Sequence, residues 1–139
     1  GPSMGLFSGS RPATLGFSAG RFAEGGWRPN WVSSTVPASD AKHHVAPLAF
    51  EGDAARAWVA LIAAVEARPR ATVVTRAPGY LHAEFASAGM GFVDDVEFAL
   101  DAAAGVIHVK SAARLGIRDF NVNRDRVEGF RAIFFPPVK

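Results

Sequence analysis

Three neighbouring segments between residues 80 and 114 carry side chains that could act as acids, bases or metal ligands. Each segment alternates polar and apolar residues, which is typical of a β-strand with one buried face. Within each segment the apolar residues occupy every second position, and most of the ionisable residues occupy the positions between them. The residues expected on the polar face are His82, Glu84, Asp95, Glu97, His108, Lys110 and Arg114.

The short connections between these segments predict which side chains face each other. When a symmetric hairpin joins two antiparallel strands, opposed residues keep a constant sum of residue numbers. His82 is then expected opposite Glu97, and Glu97 opposite Lys110 on the next strand. The same count places Glu84 opposite Asp95. The sequence thus predicts a row of three ionisable residues beside a pair of carboxylates.

Such a set has the ingredients for general acid–base catalysis or for a hard metal ion. Two close carboxylates raise one another's proton affinity, and a histidine titrates near neutral pH. A sheet with one buried face is, however, normally polar on the other, and opposite charges often face each other across strands. We therefore favour a solvated outer face and expect no metal site. The candidate catalytic residues, if the protein is an enzyme, are His82, Asp94, Asp95 and Glu97.

Asp94 has the parity of the apolar face, where an unpaired carboxylate would be costly. We expect it either to lie at the frayed start of its strand or to meet an arginine such as Arg124 or Arg126. If the chain has a site, we expect it at Asp94 and the loop of residues 111–126.

The loop of residues 111–126 concentrates arginine, aspartate and asparagine side chains. Arginines beside a helix N-terminus could hold a phosphate or a carboxylate, because the guanidinium and the free backbone N–H groups both favour anions. The alternative is a set of Arg–Asp pairs that fix the loop to the body of the protein.

The order of predicted elements is strand, helix, four strands, helix. A strand is predicted over residues 43–50, and Asp53 and Pro69 begin and end the clearest helix. Four strands follow from Ala71 onward, and Asn123 is the candidate cap of a terminal helix. This order predicts a two-layer α+β fold, in which both helices cover one face of a curved antiparallel sheet.

Residues 4–42 form a segment, called here the arm, that is rich in glycine, serine, proline and aromatic residues and lacks periodicity. Its apolar side chains are too numerous for a solvated tail. The arm is expected to lie across the body, or else to serve as a binding loop or to be exchanged between subunits. Residues 1–3 are typical of a protease remnant before a start methionine, and residues 43–139 are expected to form one domain.

Composition narrows the classes of protein. The 139 residues are 49% hydrophobic and 20% charged, with a net charge of +2, as in an ordinary globular domain. The basic residues are dispersed among acids, so we expect no nucleic-acid partner. No apolar run approaches the ~20 residues of a membrane span. The chain has no cysteine and no P-loop or HExxH pattern. If Met4 is the native start, the cytoplasm is the expected location.

Three motifs resemble the DUF1499 family of unknown function, found in bacteria and plastids: PNWVSS (29–34), GFVDDVEF (91–98) and HVKSAARLGIRDFNVNRDRVE (108–128). The resemblance runs from about Leu15 to Ala132 and implies no activity. The positions that match the family's motifs are Asn30, Ser33, Ser34, Asp94, Asp95, Glu97, Phe98, Ser111, Arg114, Gly116, Asp119, Asn123 and Arg124.

The chain departs from the family at two positions. Many relatives have cysteines flanking the Pro-Asn turn, where this chain has Gly25 and Trp31. The resemblance therefore implies that a disulfide or paired-thiol feature is lost here, and that burial of Trp31 replaces it. Any cysteine-based function of the family is impossible in this chain.

We favour a non-catalytic binding module for a small anionic or amphipathic ligand or a protein partner, held between the arm and the loop of residues 111–126. No cofactor is expected. The alternatives are a hydrolase or isomerase that uses the four candidate catalytic residues, and a structural oligomer that shares the arm. The candidate ligand-binding residues are Asn30, Ser33, Ser34, Ser111, Arg114, Asp119, Asn123 and Arg124.

Overall fold

The computed structural model describes residues 9–116 and 121–134. In chain order the elements are β1 (Phe17–Ser18), β2 (Arg21–Phe22), β3 (Trp31–Ser33), β4 (Leu48–Ala49), α1 (Ala54–Glu66), β5 (Ala71–Ala77), β6 (Tyr80–Ala86), β7 (Val93–Asp101), β8 (Val106–Ala113) and α2 (Val122–Arg131). Strands β3 to β8 form one six-stranded sheet, and β1 pairs with β2 in a separate hairpin. The α+β fold predicted from the sequence is confirmed.

The centre of the sheet is the predicted meander of β5, β6, β7 and β8. Each consecutive pair is antiparallel. The turn between β5 and β6 needs a left-handed residue, and Gly79 provides it with a φ of +68°. Period-two alternation along all four segments is what fixes these strands and their buried face.

The far edge of β8 differs from the sequence prediction. A strand was predicted over residues 43–50, but only Leu48 and Ala49 form a strand there, and His44 makes an isolated bridge to Ser33. Pro47, immediately before Leu48, has no N–H to donate to a sheet. The other part of this edge pairs with β3, which belongs to the arm and was not predicted as a strand. All three residues of β3 are buried, so the segment shows no alternation for a sequence pattern to detect.

The two helices cover one face of the sheet, called here the helix face. Asp53 caps α1 as predicted, accepting a 3.1 Å hydrogen bond from the Arg56 amide. Leu61 and Val65 of α1 pack into the core with the strand side chains. Phe130 of α2 meets Phe98 of β7 edge-to-face, with their ring centroids 5.4 Å apart. Within the described residues, neither helix is long and apolar enough to cross a bilayer.

The N-terminus of α2 lies slightly earlier than predicted. Its N-cap is Asn121, in a left-handed conformation with a φ of +67°, and not Asn123. Asn123 lies inside the first turn and its side chain is fully buried against the sheet. The prediction that Asn123 caps the helix is therefore wrong, because this side chain is used between elements and not at the helix end.

Candidate functional site

The predicted row of ionisable residues forms on the face of the sheet opposite the helices. His82 pairs with Glu97 and Glu84 with Asp95 between β6 and β7, and Glu97 pairs with Lys110 between β7 and β8. The predicted register is confirmed at all three positions, because no bulge interrupts these two pairings. This face is called here the arm face.

The arm face is buried, and the expectation of a solvated face is wrong. His82 is 2% exposed, Asp95 3% and Glu97 1%. The arm covers them and bonds to them directly. Arg11 forms a 2.7 Å ion pair with Glu84, and the Gly16 amide donates to Glu97 Oε1 at 2.7 Å. The polar side chains of these strands therefore form a second, hydrophilic layer inside the protein, called here the charged layer.

Arg114 is the central cation of this layer, and its side chain is 4% exposed. Its Nε donates to Asp95 Oδ2 at 2.7 Å, and its Nη2 donates to Asp95 Oδ1 at 2.9 Å and to Glu84 Oε2. The hydrogen bond to Asp95 is the largest cause that raises the pKa of Arg114. One guanidinium therefore holds two buried carboxylates from adjacent strands.

The two carboxylates are kept ionised by these contacts. Burial would raise the pKa of Asp95, but the hydrogen bonds from Arg114 and His82 outweigh it and lower the pKa below its usual range. Burial would also raise the pKa of Glu84, but the hydrogen bonds from Arg11 and Arg114 outweigh it and lower this pKa. The layer is thus built from charged groups.

We expect the stability of the protein to decrease as pH falls below about 4. The folded state lowers the pKa of Asp95 and Glu84 from 3.8 and 4.5, so their contribution is complete above those values and is lost as pH falls through the lowered values. Urea denaturation between pH 2 and 7 measures this slope. Asp95→Asn should flatten it, and Asp125→Asn, at an exposed position, should not. An unchanged slope in Asp95→Asn would contradict the assignment.

Two further hydrogen bonds extend the layer. His82 Nε2 lies 2.8 Å from Asp95 Oδ1, and the Tyr80 hydroxyl donates to Glu97 Oε1 at 2.6 Å. Burial, followed by the contact with Glu97, raises the pKa of Tyr80, so the phenol stays protonated. Tyr80 was missed from the sequence although it has the parity of His82, two residues away. Arg11 was missed because nothing in the arm has a period.

One cluster in the described ranges has the geometry of a possible metal site. It consists of His82, Glu84 and Asp95, whose ligand atoms all lie within 4.8 Å of one another. These groups already have cationic partners, because Arg114 binds both carboxylates and Arg11 binds Glu84. A metal ion would have to displace two guanidinium groups. The chemistry of the cluster is therefore that of a buried salt-bridge network.

A cavity of about 410 Å³ lies between the arm and this layer. It is called here the arm cavity. The sheet contributes Asp95, Glu97 and Lys110, and the arm contributes Leu15, Trp27, Arg28 and Trp31. Trp27 is 69% exposed and Trp31 only 4%. The sheet thus lines the cavity with charged side chains, and the arm lines its aromatic side with two tryptophans.

Trp31 is held rigidly at this cavity. Its ring stacks on His43 at 3.9 Å between centroids, and its Nε1 donates to the Gly26 carbonyl at 2.9 Å. A Cβ at Gly25 would lie 2.5 Å from Trp31 Nε1, so the indole leaves room only for glycine. The expected burial of Trp31 is confirmed, and its size explains why Gly25 accompanies it.

Lys110 is the least compensated charge of the layer. It is 7% exposed, and its ammonium donates to the Ala23 carbonyl. It forms no ion pair with any residue in the described part of the chain. Its Nζ lies over the ring of Trp31, 5.8 Å from the ring centroid. Burial lowers the pKa of Lys110, and the carboxylates of Glu97 and Asp95 oppose this effect without cancelling it.

Most of the predicted ligand-binding residues tie the arm to the body. Ser111 Oγ donates to Asn123 Oδ1 at 2.5 Å, and Asn123 Nδ2 donates to the Asn30 carbonyl at 3.2 Å. The Asn30 side chain donates to the Gly116 carbonyl. Among the predicted set only Asn30 lines the arm cavity, while Arg114 belongs to the charged layer beneath it.

The remaining candidates lie apart from the cavity. Ser33 Oγ contacts Thr35, Ser34 Oγ accepts from the Val109 amide, and Arg124 donates to backbone carbonyls of residues 41, 42 and 44. Asp119 lies outside the described residues.

Asp94 lies on the helix face, away from the other three candidate catalytic residues. It forms a 2.9 Å ion pair with Arg126, as one of the sequence expectations had it. Arg126 also places its guanidinium 5.0 Å from the Phe85 ring. The structure therefore brings His82, Asp95 and Glu97 together and places Asp94 in a different environment.

Comparison with known proteins adds a family and no activity. A family model described as "Protein of unknown function (DUF1499)" matches residues 24–134. No curated protein and no solved structure matches the sequence. The matched stretch covers most of the chain, and it includes every strand of the six-stranded sheet and both helices. The chain therefore belongs to the DUF1499 family.

Proposed function

We propose that the protein is a non-catalytic binding module whose arm cavity holds a small amphipathic anion. In this complex the anionic group contacts Lys110, and the apolar part lies against the tryptophans of the arm. The observation that carries the proposal is the ammonium of Lys110, buried at the cavity without an ion pair in the described structure.

A buried ammonium is costly unless a counter-charge or several hydrogen bonds compensate it. Lys110 has three donor hydrogens, and the contact with Ala23 uses one of them. The other cations of the layer each have a short ionic partner, because Arg114 binds Asp95 and Glu84, Arg11 binds Glu84 and His82 contacts Asp95. A ligand carboxylate or phosphate at Lys110 would complete the set.

The neighbouring carboxylates do not prevent an anion from binding there. Asp95 is neutralised by Arg114 and contacted by His82. Glu97 accepts hydrogen bonds from the Tyr80 hydroxyl and the Gly16 amide. The arm adds two exposed charges of opposite sign to the cavity lining, Glu24 and Arg28, which offset each other at its edge. A hydroxyl or amine on the ligand could donate to Glu97, which favours a ligand with mixed polar groups.

The aromatic side of the cavity suits the apolar part of such a ligand. Trp31 is fixed by His43 and Gly26, so its surface is already ordered before binding. Rigid aromatic side chains contribute contact area at a low cost in conformational entropy. The volume of about 410 Å³ lies at the lower end of the range of ligand pockets, so the ligand is small.

Phenylacetate and its neutral analogue phenylacetamide test the proposal by isothermal titration calorimetry and thermal unfolding. We expect phenylacetate to bind more tightly, and Lys110→Met to weaken it by about ten- to a hundredfold, the loss of a hydrogen bond to a charged group. Lys42→Met is the matched control, because Lys42 is exposed and away from the arm cavity. Its affinity for phenylacetate should stay at the wild-type value.

Proton uptake gives a readout that a structural role of Lys110 would not change. A bound anion raises the lowered pKa of Lys110, so binding should take up protons at alkaline pH, and Lys110→Met should abolish this uptake. Calorimetry in two buffers of different ionisation enthalpy measures it. Equal affinity for the acid and the amide, or unchanged binding by Lys110→Met, would refute the proposal.

A further inference from the structure

A second cavity, on the opposite side of β6 and β7 from the arm cavity, has a different chemistry. Its volume is about 700 Å³, and it lies where the turn after α1 meets the end of β6 and the start of α2. It is called here the arginine groove, defined by Arg68, Arg70, Phe85, Phe92, Leu115 and Val122. From this groove we propose that the protein binds a free single-chain anionic amphiphile, such as a fatty acid, at a site independent of the arm cavity.

The apolar part of the groove is unusually exposed. Phe92 is 41% exposed, Leu115 42% and Val122 48%, and all three line it. Exposed apolar residues that cluster in a concave surface mark ligand or partner sites more often than scattered ones do. Since the volume lies inside the range of small-molecule pockets, a hydrocarbon chain is a fitting occupant.

The charges at the rim select an anion. Arg68 and Arg70 both line the groove, and neither forms an ion pair with any described residue. Arg126 also lines it, but its charge is matched by Asp94. Arg68 places its guanidinium 4.3 Å from the centroid of the Phe130 ring, and Arg70 donates to the Ala86 carbonyl, so within the described residues neither cation has a carboxylate partner. Guanidinium groups bind carboxylates and phosphates through paired hydrogen bonds, which suits the head group of an amphiphile.

Arg70 is held at this place against its backbone preference. Its φ is +60°, in the left-handed region that favours glycine, in the turn between α1 and β5. Its Nε donates to the Ala86 carbonyl at 3.2 Å, which fixes the guanidinium at the mouth of the groove. A non-glycine residue is expected in such a strained conformation at positions where the protein needs its side chain, since glycine would adopt the same backbone without strain.

The substitution Arg70→Gly separates binding from folding. Glycine relieves the strained conformation, so the thermal unfolding midpoint should stay the same or rise. The affinity for octanoate should fall by about ten- to a hundredfold, since a hydrogen bond to a charged group is lost. Arg56→Ala is the matched control: Arg56 is an exposed arginine of α1 outside the groove, and its loss should leave octanoate binding unchanged.

Chain length tests the apolar half of the proposal. Affinity should increase about fourfold for each methylene added from hexanoate to octanoate to decanoate. Leu115→Ser should reduce this gain, and octanol, which lacks the charge, should bind more weakly than octanoate. Octanoate is itself an amphipathic anion that the arm cavity could hold, so these titrations are made in the Lys110→Met background. Octanoate binding that persists there and is weakened by Arg70→Gly belongs to the arginine groove, and its absence there refutes the groove without bearing on the arm cavity.

The same head-group chemistry occurs in membranes, and vesicles distinguish the two sources. Octanoate binding that Arg70→Gly weakens, without cosedimentation with phosphatidylglycerol vesicles, supports the free amphiphile. Cosedimentation without octanoate binding would overturn it in favour of a lipid surface. Affinity independent of chain length, or unchanged in Arg70→Gly, would overturn the proposal altogether.

Discussion

Replacement of Arg114 by methionine should lower the free energy of unfolding by about 3–5 kcal/mol at pH 7, the cost of breaking a buried ion pair from one side. Methionine keeps the length of the side chain but leaves Asp95 and Glu84 buried without their shared guanidinium. Urea denaturation followed by circular dichroism measures the change. This is one of the two largest effects that we expect in the protein.

Arg11→Met is the matched control for this effect. Arg11 also binds Glu84 at 2.7 Å, but its side chain is 52% exposed. Ion pairs of exposed side chains contribute little to stability, so the loss should be much smaller than that of Arg114→Met. Equal destabilisation by the two variants would mean that the charged layer is solvated in solution, against the burial seen here.

The pH dependence of the Arg114→Met variant gives a second check. Without the guanidinium, the pKa of Asp95 and of Glu84 should rise above the wild-type folded values, because burial is then opposed only by His82 and by Arg11. A carboxyl group with a higher folded-state pKa contributes a smaller loss of stability as pH falls. The destabilisation should therefore shrink between pH 7 and pH 4, and a constant difference would contradict the assigned role.

Asn123→Ala is the second large effect, with an expected loss of about 2–4 kcal/mol, because each buried polar group left without its partner costs about 1–3 kcal/mol. Asn123 accepts from Ser111 and Arg126 and donates to the Asn30 carbonyl, and it is fully buried. The alanine variant leaves all three partners short of one hydrogen bond. Thermal and urea unfolding measure the loss.

Two variants of the same helical turn sharpen this test. Asp125→Ala, at an exposed position, should cost less than about 1 kcal/mol, the scale of a charge near a helix N-terminus. Asn123→Asp keeps the acceptor for Ser111 but loses the donor to Asn30, so its cost should lie between the other two. If Asn123→Ala were as mild as Asp125→Ala, the buried contacts would carry little of the fold's stability.

The alternation along β6, β7 and β8 was sufficient to predict the central meander and the pairing of its polar residues. A strand with period two can turn either of its two faces towards the helices, and the wrong choice would bury Glu97 among them. The constant sum of residue numbers then placed Glu97 between His82 and Lys110. The alternation also placed Asp94 towards the core, either at a frayed strand start or in contact with Arg124 or Arg126, and in the structure it forms an ion pair with Arg126.

The burial of the arm face could not be predicted in the same way. A polar strand face looks the same in sequence whether water or another segment covers it. The arm has no period because its contacts are single side chains and amides, such as Arg11 with Glu84 and the Gly16 amide with Glu97. The resemblance to a family likewise marked Ser111 and Asn123 as motif positions, but not that they bond to each other inside the protein.

The hydrogen bonds between the arm and the sheet have a consequence for the order in which the chain can fold. Arg11 and Glu84 are 73 residues apart in sequence, the Gly16 amide and Glu97 81, and Lys110 and Ala23 87. The meander closes through hairpins a few residues long, and loop entropy favours such short closures over long ones. We therefore expect the charged layer to form on the meander while it is still hydrated, before the arm adds β3 to the sheet and excludes water from the layer.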